Sequence, residues 1–95
     1  MLTNARMTAT QTTHFGPVVS LHEGFFERFL FLLPNVQHVI SSFETQNVVF
    51  VGHSMGGAIA ILMALEYRQK RKVKCFTLAA PIIGDERFRN AQFYF

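Results

Sequence analysis

Residues Gly52-His53-Ser54-Met55-Gly56 set a serine between two glycines in Gly-x-Ser-x-Gly spacing. With Gly and Ser each near ~7% of residues, chance produces the pattern in only ~3% of chains this long. The chemistry it suggests is attack by a serine hydroxyl on a carbonyl carbon. Free serine is a weak nucleophile and needs a general base, ordinarily a histidine oriented by a carboxylate. To present such a hydroxyl, the backbone must turn sharply from a strand into a helix, which puts Ser54 in a strained φ/ψ region. Side chains at 52 and 56 would collide in so tight a turn, so glycine is expected at both. Gly57 and Ala58 are expected to let the helix pack close to neighbouring strands. The helix N-terminus directs unpaired N–H groups at the reacting centre. Among them, the N–H of Met55 is placed to donate to an oxyanion.

The flanking segments supply the elements this turn requires. Residues 47–51 (NVVFV) predict a short strand, apolar on both faces as in a parallel sheet covered on both sides. Residues 54–70 predict a helix that is apolar nearly all round and therefore buried centrally. Residues 73–79 (VKCFTLA) predict a second strand, and strand–helix–strand with short links is a right-handed βαβ unit. Upstream, residues 24–42 carry apolar side chains at helical spacing, with Phe25 and Phe29 leading the stripe. Pro34 removes a backbone N–H and predicts a kink or a break there. The Phe-rich stretch 25–33 reads as a core face rather than a lipid-binding surface. Residues 1–20, with Gly16-Pro17 and no periodicity, read as irregular or loosely extended. Beyond Pro81 and Gly84 the chain enters a loop, with a further element expected from Phe88.

Composition excludes several classes. The chain has 95 residues, which is room for one small domain, and its 49% hydrophobic content with eleven Phe excludes disorder. The single cysteine, Cys75, allows no internal disulfide and reads as a small core residue. No apolar run reaches the roughly 20 residues of a membrane span. The first residues lack a signal-peptide h-region, from which an intracellular chain is expected. Of nine basic residues, five lie between Arg68 and Lys74. They read as cations closing a helix C-terminus rather than as a nucleic-acid surface, because no aromatics interleave them. A phosphate loop fails because Ala58-Ile59 follow Gly57. A zinc His-Glu-x-x-His helix fails because Phe26 stands where the second histidine belongs. No metal or organic cofactor is expected.

Three segments in order resemble the class 3, fungal-type lipase family of the α/β-hydrolase fold. His22-Glu23-Gly24-Phe25 resembles its His-x-Gly-Phe, Val48–Leu65 its strand–turn–helix, and Pro81, Gly84, Asp85 and Phe88 its Pro-x-x-Gly-Asn/Asp-x-x-Phe. The resemblance implies an α/β fold: a partial α/β-hydrolase core of helix, strand, nucleophile elbow, helix and parallel strand over residues 21–95. It implies hydrolysis of carboxylic esters, often of glycerolipids, with Ser54 as nucleophile and the Met55 N–H as an oxyanion donor. Gly52, His53, Gly56 and Gly57 would be the structural residues of the elbow. Asp85 would be the loop residue, not the triad carboxylate. By its place in the sequence His22 reads as capping or hydrogen-bonding near the start of its helix rather than as a displaced catalytic base. A lipid or other ester substrate follows, with peripheral membrane contact and no transmembrane segment.

The family order is Ser, Asp, His, yet His14, His22, His38 and His53 all precede Ser54 and Asp85 is the one aspartate. An upstream Arg-Gly-Thr-like oxyanion strand is also missing. From these departures a fold truncated at both ends is expected, inactive by itself. Two alternatives stay open: an inactive relative that binds lipid or protein, and another α/β-hydrolase chemistry such as that of a thioesterase.

Overall fold

The computed structural model describes residues 9–90. Its centre is the predicted strand–helix–strand unit. Strand β3 (Asn47–His53) and strand β4 (Lys72–Leu78) pair in parallel, from Asn47↔Lys72 to His53↔Leu78. Helix α2 (Met55–Tyr67) connects them and lies against both strands. It is buried on almost every side, from Gly57 to Tyr67, as its unbroken apolar composition requires. Helix α1 (Glu23–Ser41) packs on α2 and delivers Phe25 and Phe29 to the core beside Leu62 and Met63.

Residues 9–22 correct an expectation. The described part of the segment read as irregular holds strand β1 (Ala9–Thr12) and strand β2 (Val19–His22), paired antiparallel from Ala9↔His22 to Thr12↔Val19. β2 alternates inward and outward, and its inward residues, Val19 and Leu21, are fully buried. The segment is therefore part of the core.

Pro34 does not break α1, which runs through it as one helix. The proline and Leu30, whose carbonyl loses its partner, both lie on the exposed side. Water can satisfy that carbonyl, while the opposite side of the helix keeps its packing.

β3 is also not covered on both faces. Val48 and Phe50 face α2, whereas Val49 and Val51 are exposed, as are Phe76 and Leu78 of β4. No described element packs on that face. The basic run lies beyond α2 rather than in its last turn. Arg68 is the C-cap, Lys70 and Arg71 sit in the following turn, and Lys72 and Lys74 belong to β4.

Cys75 is half-buried on the covered side of β4, and burial pushes its thiol pKa up, as suits an unreactive packing residue. After β4, residues 79–85 lead to the short helix α3 (Glu86–Asn90), and Leu21 of β2 bridges to Gly84 in this loop.

Two phenylalanines of α1 separate packing from surface. Phe29 is 0% exposed and Phe31 70% exposed. Phe29→Ala is expected to destabilise by about 3–5 kcal/mol and Phe31→Ala by less than about 0.5 kcal/mol. Urea unfolding of both variants checks the contrast.

Candidate active site

The turn between β3 and α2 is as tight as a turn can be without removing a residue. Ser54 alone separates His53, the last residue of the strand, from Met55, the first of the helix. Ser54 has φ 55° and ψ −125°, a region that costs a non-glycine residue about 1–3 kcal/mol. Three backbone hydrogen bonds offset this, each contributing about 1 kcal/mol. The Ser54 N–H donates to the Leu78 carbonyl at 2.9 Å, and the Ser54 carbonyl accepts from Gly57 at 2.8 Å and Ala58 at 3.2 Å. The first of these ties the turn to the end of β4.

The glycines do not all act alike. A β-carbon at Gly52 would overlap the Gly56 carbonyl and stand 2.7 Å from the Gly57 nitrogen. One at Gly57 would meet the Ala80 β-carbon at 3.0 Å and the Thr77 β-carbon at 3.3 Å. Ala79, itself at φ 57°, turns the chain so that Ala80 reaches this position. The expected crowding is absent at Gly56, where an added β-carbon meets nothing within 4 Å. The close approach is one-sided: the side chain of 52 would strike the backbone of 56, while the side of 56 faces an open groove. That apolar groove, about 340 Å³, is lined among others by Arg28, Leu32, Val51, Met55 and Ile59.

Ser54 is exposed, and its hydroxyl makes no hydrogen bond among the described residues. The N–H of Met55, in the first turn of α2, is likewise without an acceptor among them. No described histidine bonds to Ser54. His14 Nε2–H donates to Glu66 Oε1 at 2.6 Å, at the far end of α2. His53 is exposed on the open face of β3. The Nδ1 of His22 accepts from the Phe25 N–H at 3.2 Å and so caps α1, its ring stacked on Phe25 at 3.9 Å. A β-carbon at Gly24 would lie 3.0 Å from that ring, which accounts for the His-x-Gly-Phe spacing. Among the described residues no cluster of three or more His, Cys, Asp or Glu could hold a metal ion.

Asp85 builds the second motif. Its Oδ1 accepts from the Phe88 N–H at 2.9 Å, capping α3, and from the Ser20 N–H at 3.3 Å. Its Oδ2 accepts from Arg87 Nε at 3.0 Å. Gly84 lets the loop approach β2, since a β-carbon there would stand 2.8 Å from the Ser20 carbonyl oxygen and 2.7 Å from the Phe88 β-carbon. The Phe88 N–H is the largest cause holding the Asp85 carboxyl below its ordinary pKa. Burial, the next largest cause, opposes it, and the side chain of Arg87 and the N–H of Ser20 add to the lowering. Sequence reasoning missed Ser20, Arg87 and the Leu78 carbonyl as partners. Ser20 lies 65 residues from Asp85, Arg87 is one of several exposed polar residues in its segment, and a backbone acceptor leaves no trace in side-chain type.

The comparisons with known proteins agree with this architecture. The family model described as Lipase (class 3) matches residues 1–93. The crystal structure of a lipase from Rhizopus microsporus var. chinensis superposes with a TM-score of 0.65 at 26% identity, over 90% of this chain and 34% of that one. The secreted mono- and diacylglycerol lipase 1 of Fusarium solani is 31% identical over 75 residues, which is 74% of this chain and 22% of that protein. Protein EDS1 of Arabidopsis thaliana is 30% identical over 90 residues, 80% of this chain and 14% of its own length. The fold is thus that of an α/β lipase, and the chain belongs to the class 3 lipase family. It spans about one seventh of the length of EDS1 and just over one fifth of that of the Fusarium lipase.

Two outcomes follow from the geometry. Gly52→Ala is expected to cost more than about 3 kcal/mol or to displace the start of α2, while Gly56→Ala is neutral or stabilises by up to about 1 kcal/mol. Chemical denaturation separates them. Because the folded Asp85 carboxyl titrates below its unfolded value, its contribution is present above the ordinary aspartate range and is lost as pH falls through the folded pKa. Asp85→Asn should therefore be less stable than the wild type at neutral pH, with the gap closing in acid. Unfolding midpoints measured across a pH series read this directly.

Proposed function

We propose that these residues carry the nucleophile of a serine ester hydrolase acting on acylglycerol-type esters, with Ser54 attacking the carbonyl carbon to form an acyl-enzyme. The observation that carries this reading is the exposed Ser54 at positive φ, between the end of a parallel strand and the N-terminus of a buried helix. That position leaves the hydroxyl without a hydrogen-bond partner among the described residues and sets the Met55 N–H beside it, where it can stabilise the developing oxyanion. The family supports the substrate class, as two of its members named above are lipases. Gly52, His53, Gly56 and Gly57 act as scaffold rather than as reacting groups.

On this reading none of the described histidines is the general base as placed: His14 and His22 are engaged elsewhere, His38 lies on α1, and His53 sits on the open face of β3 with no bond to Ser54. The unpaired edge of β3 and the apolar groove beside the turn are surfaces that a larger sheet would cover. One observation favours a second reading, a lipid- or protein-binding relative without turnover: no described histidine bonds to Ser54.

A fluorophosphonate probe on the full-length protein is expected to label Ser54. Ser54→Ala should abolish labelling and lower ester hydrolysis by at least ~10³-fold. Labelling of a different residue with Ser54 spared would overturn the assignment, and absence of any labelling would favour the second reading. The 95-residue chain alone is expected to show no ester hydrolysis that depends on Ser54.

A further inference from the structure

Among the described residues two that are not glycine hold positive φ, Ser54 at 55° and Ala79 at 57°. One hydrogen bond joins them. The Ser54 N–H donates at 2.9 Å to the carbonyl of Leu78, in the peptide unit that leads into Ala79. The other side of Ser54 is held by Gly57, whose N–H donates to the Ser54 carbonyl at 2.8 Å. Gly57 in turn rests on the same segment, because a β-carbon there would meet the Ala80 β-carbon at 3.0 Å and the Thr77 β-carbon at 3.3 Å. Both grips on the Ser54 backbone therefore depend on one short stretch, residues 77–80.

That stretch is fixed at each end. Upstream, the parallel register sets Leu78 beside His53. Downstream, the His22 N–H donates to the Ile83 carbonyl at 2.6 Å and the Asp85 N–H donates to the Ser20 carbonyl at 2.9 Å, which ties the loop to β2. Ile83 is itself buried in the core. Only residues 79–82 span the two anchors, and Pro81 stiffens the span. Ala80 is thus held against Gly57 from both directions, as an over-determined strained turn requires. These bonds lie within the described fold and do not depend on what covers the open face of β3 and β4.

From this arrangement we propose that Ala80 is a positioning residue for Ser54: its β-carbon seats Gly57 and so fixes where α2 begins relative to the end of β4. The proposal rests on the nucleophile reading of Ser54. Attack requires the Ser54 hydroxyl and the Met55 N–H to meet one carbonyl group together, and a displacement of about 1 Å costs on the order of 10²-fold in rate. A start of α2 that shifts on its seat moves both groups at once, while the surfaces that bind substrate elsewhere stay as they are. A contact that served stability alone would lower the melting temperature and leave the reactivity of the folded molecules unchanged.

The test uses the full-length protein and reads Ser54 in two ways, at a temperature well below the melting transition of each variant. One is the rate of fluorophosphonate labelling, with kcat and KM for ester hydrolysis. The other is hydrogen exchange of the Ser54 amide, which the Leu78 carbonyl protects and which needs no activity. Gly57→Ala should lower labelling and kcat by about 10- to 100-fold, change KM by less than about twofold, and speed exchange at Ser54. Ala80→Gly removes the nearest obstacle to the added β-carbon, so Gly57→Ala/Ala80→Gly should recover most of the lost rate and protection. Ala80→Gly alone should slow labelling severalfold with KM unchanged, and it carries the test if Gly57→Ala does not fold. The proposal is overturned if the variants lower only the melting temperature, or if Ala80→Gly fails to rescue a folded Gly57→Ala. A wild type labelled elsewhere with Ser54 spared overturns the nucleophile reading instead, and exchange at Ser54 then still decides whether Ala80 holds its backbone.

Discussion

Where β3 gives way to α2, the backbone of Gly56 occupies the space a side chain on residue 52 would need. That single close approach makes the rest of the turn possible. It lets the helix begin one residue after the strand ends, which forces Ser54 to positive φ and places its N–H against the Leu78 carbonyl. The second glycine contact, Gly57 against Ala80 and Thr77, brings α2 close enough to β4 for the parallel pair to share one helix as its cover. Strain of about 1–3 kcal/mol at one residue is held because the surrounding bonds and contacts over-determine it.

The N-terminal elements are held by a different device. His22 closes the first turn of α1 with its ring, and Asp85 does the same for α3 with its carboxylate. Both caps sit beside β2, so the strand, the helix that follows it and the loop after β4 meet at one place. The His-x-Gly-Phe and Gly-Asp-x-x-Phe spacings are therefore two halves of one junction, with Gly24 and Gly84 each making room for a neighbouring ring or backbone.

Much of this was legible in the residues. The βαβ unit follows from the alternation of β-branched runs with an all-apolar helix, and the turn was read from Gly52, Ser54 and Gly56. The family followed from three short motifs. What stayed hidden has physical reasons. β1 (Ala9–Thr12) is polar and short, so it carries no hydrophobic period, and β2 shows only Val19 and Leu21 as inward residues. Pro34 looked like a break because sequence does not show which side of a helix meets water. The open face of β3 looked buried because apolar side chains record the preference for cover, not its presence. The open space beside Gly56 was missed for a similar reason, since spacing does not reveal which of two glycines bears the crowding.

The clasp between Ser20 and Asp85 also bears on the order in which the chain can organise itself. Its partners are 65 positions apart. Closing so long a span costs more chain entropy than forming the contacts of β3, α2 and β4, which lie near one another along the polypeptide. During synthesis, the hairpin and α1 leave the ribosome well before the carboxylate that fastens them. Val19 and Leu21 can meet Phe15, Phe25 and Phe29 early, while their contact with Ile83 and the Gly84 loop forms last.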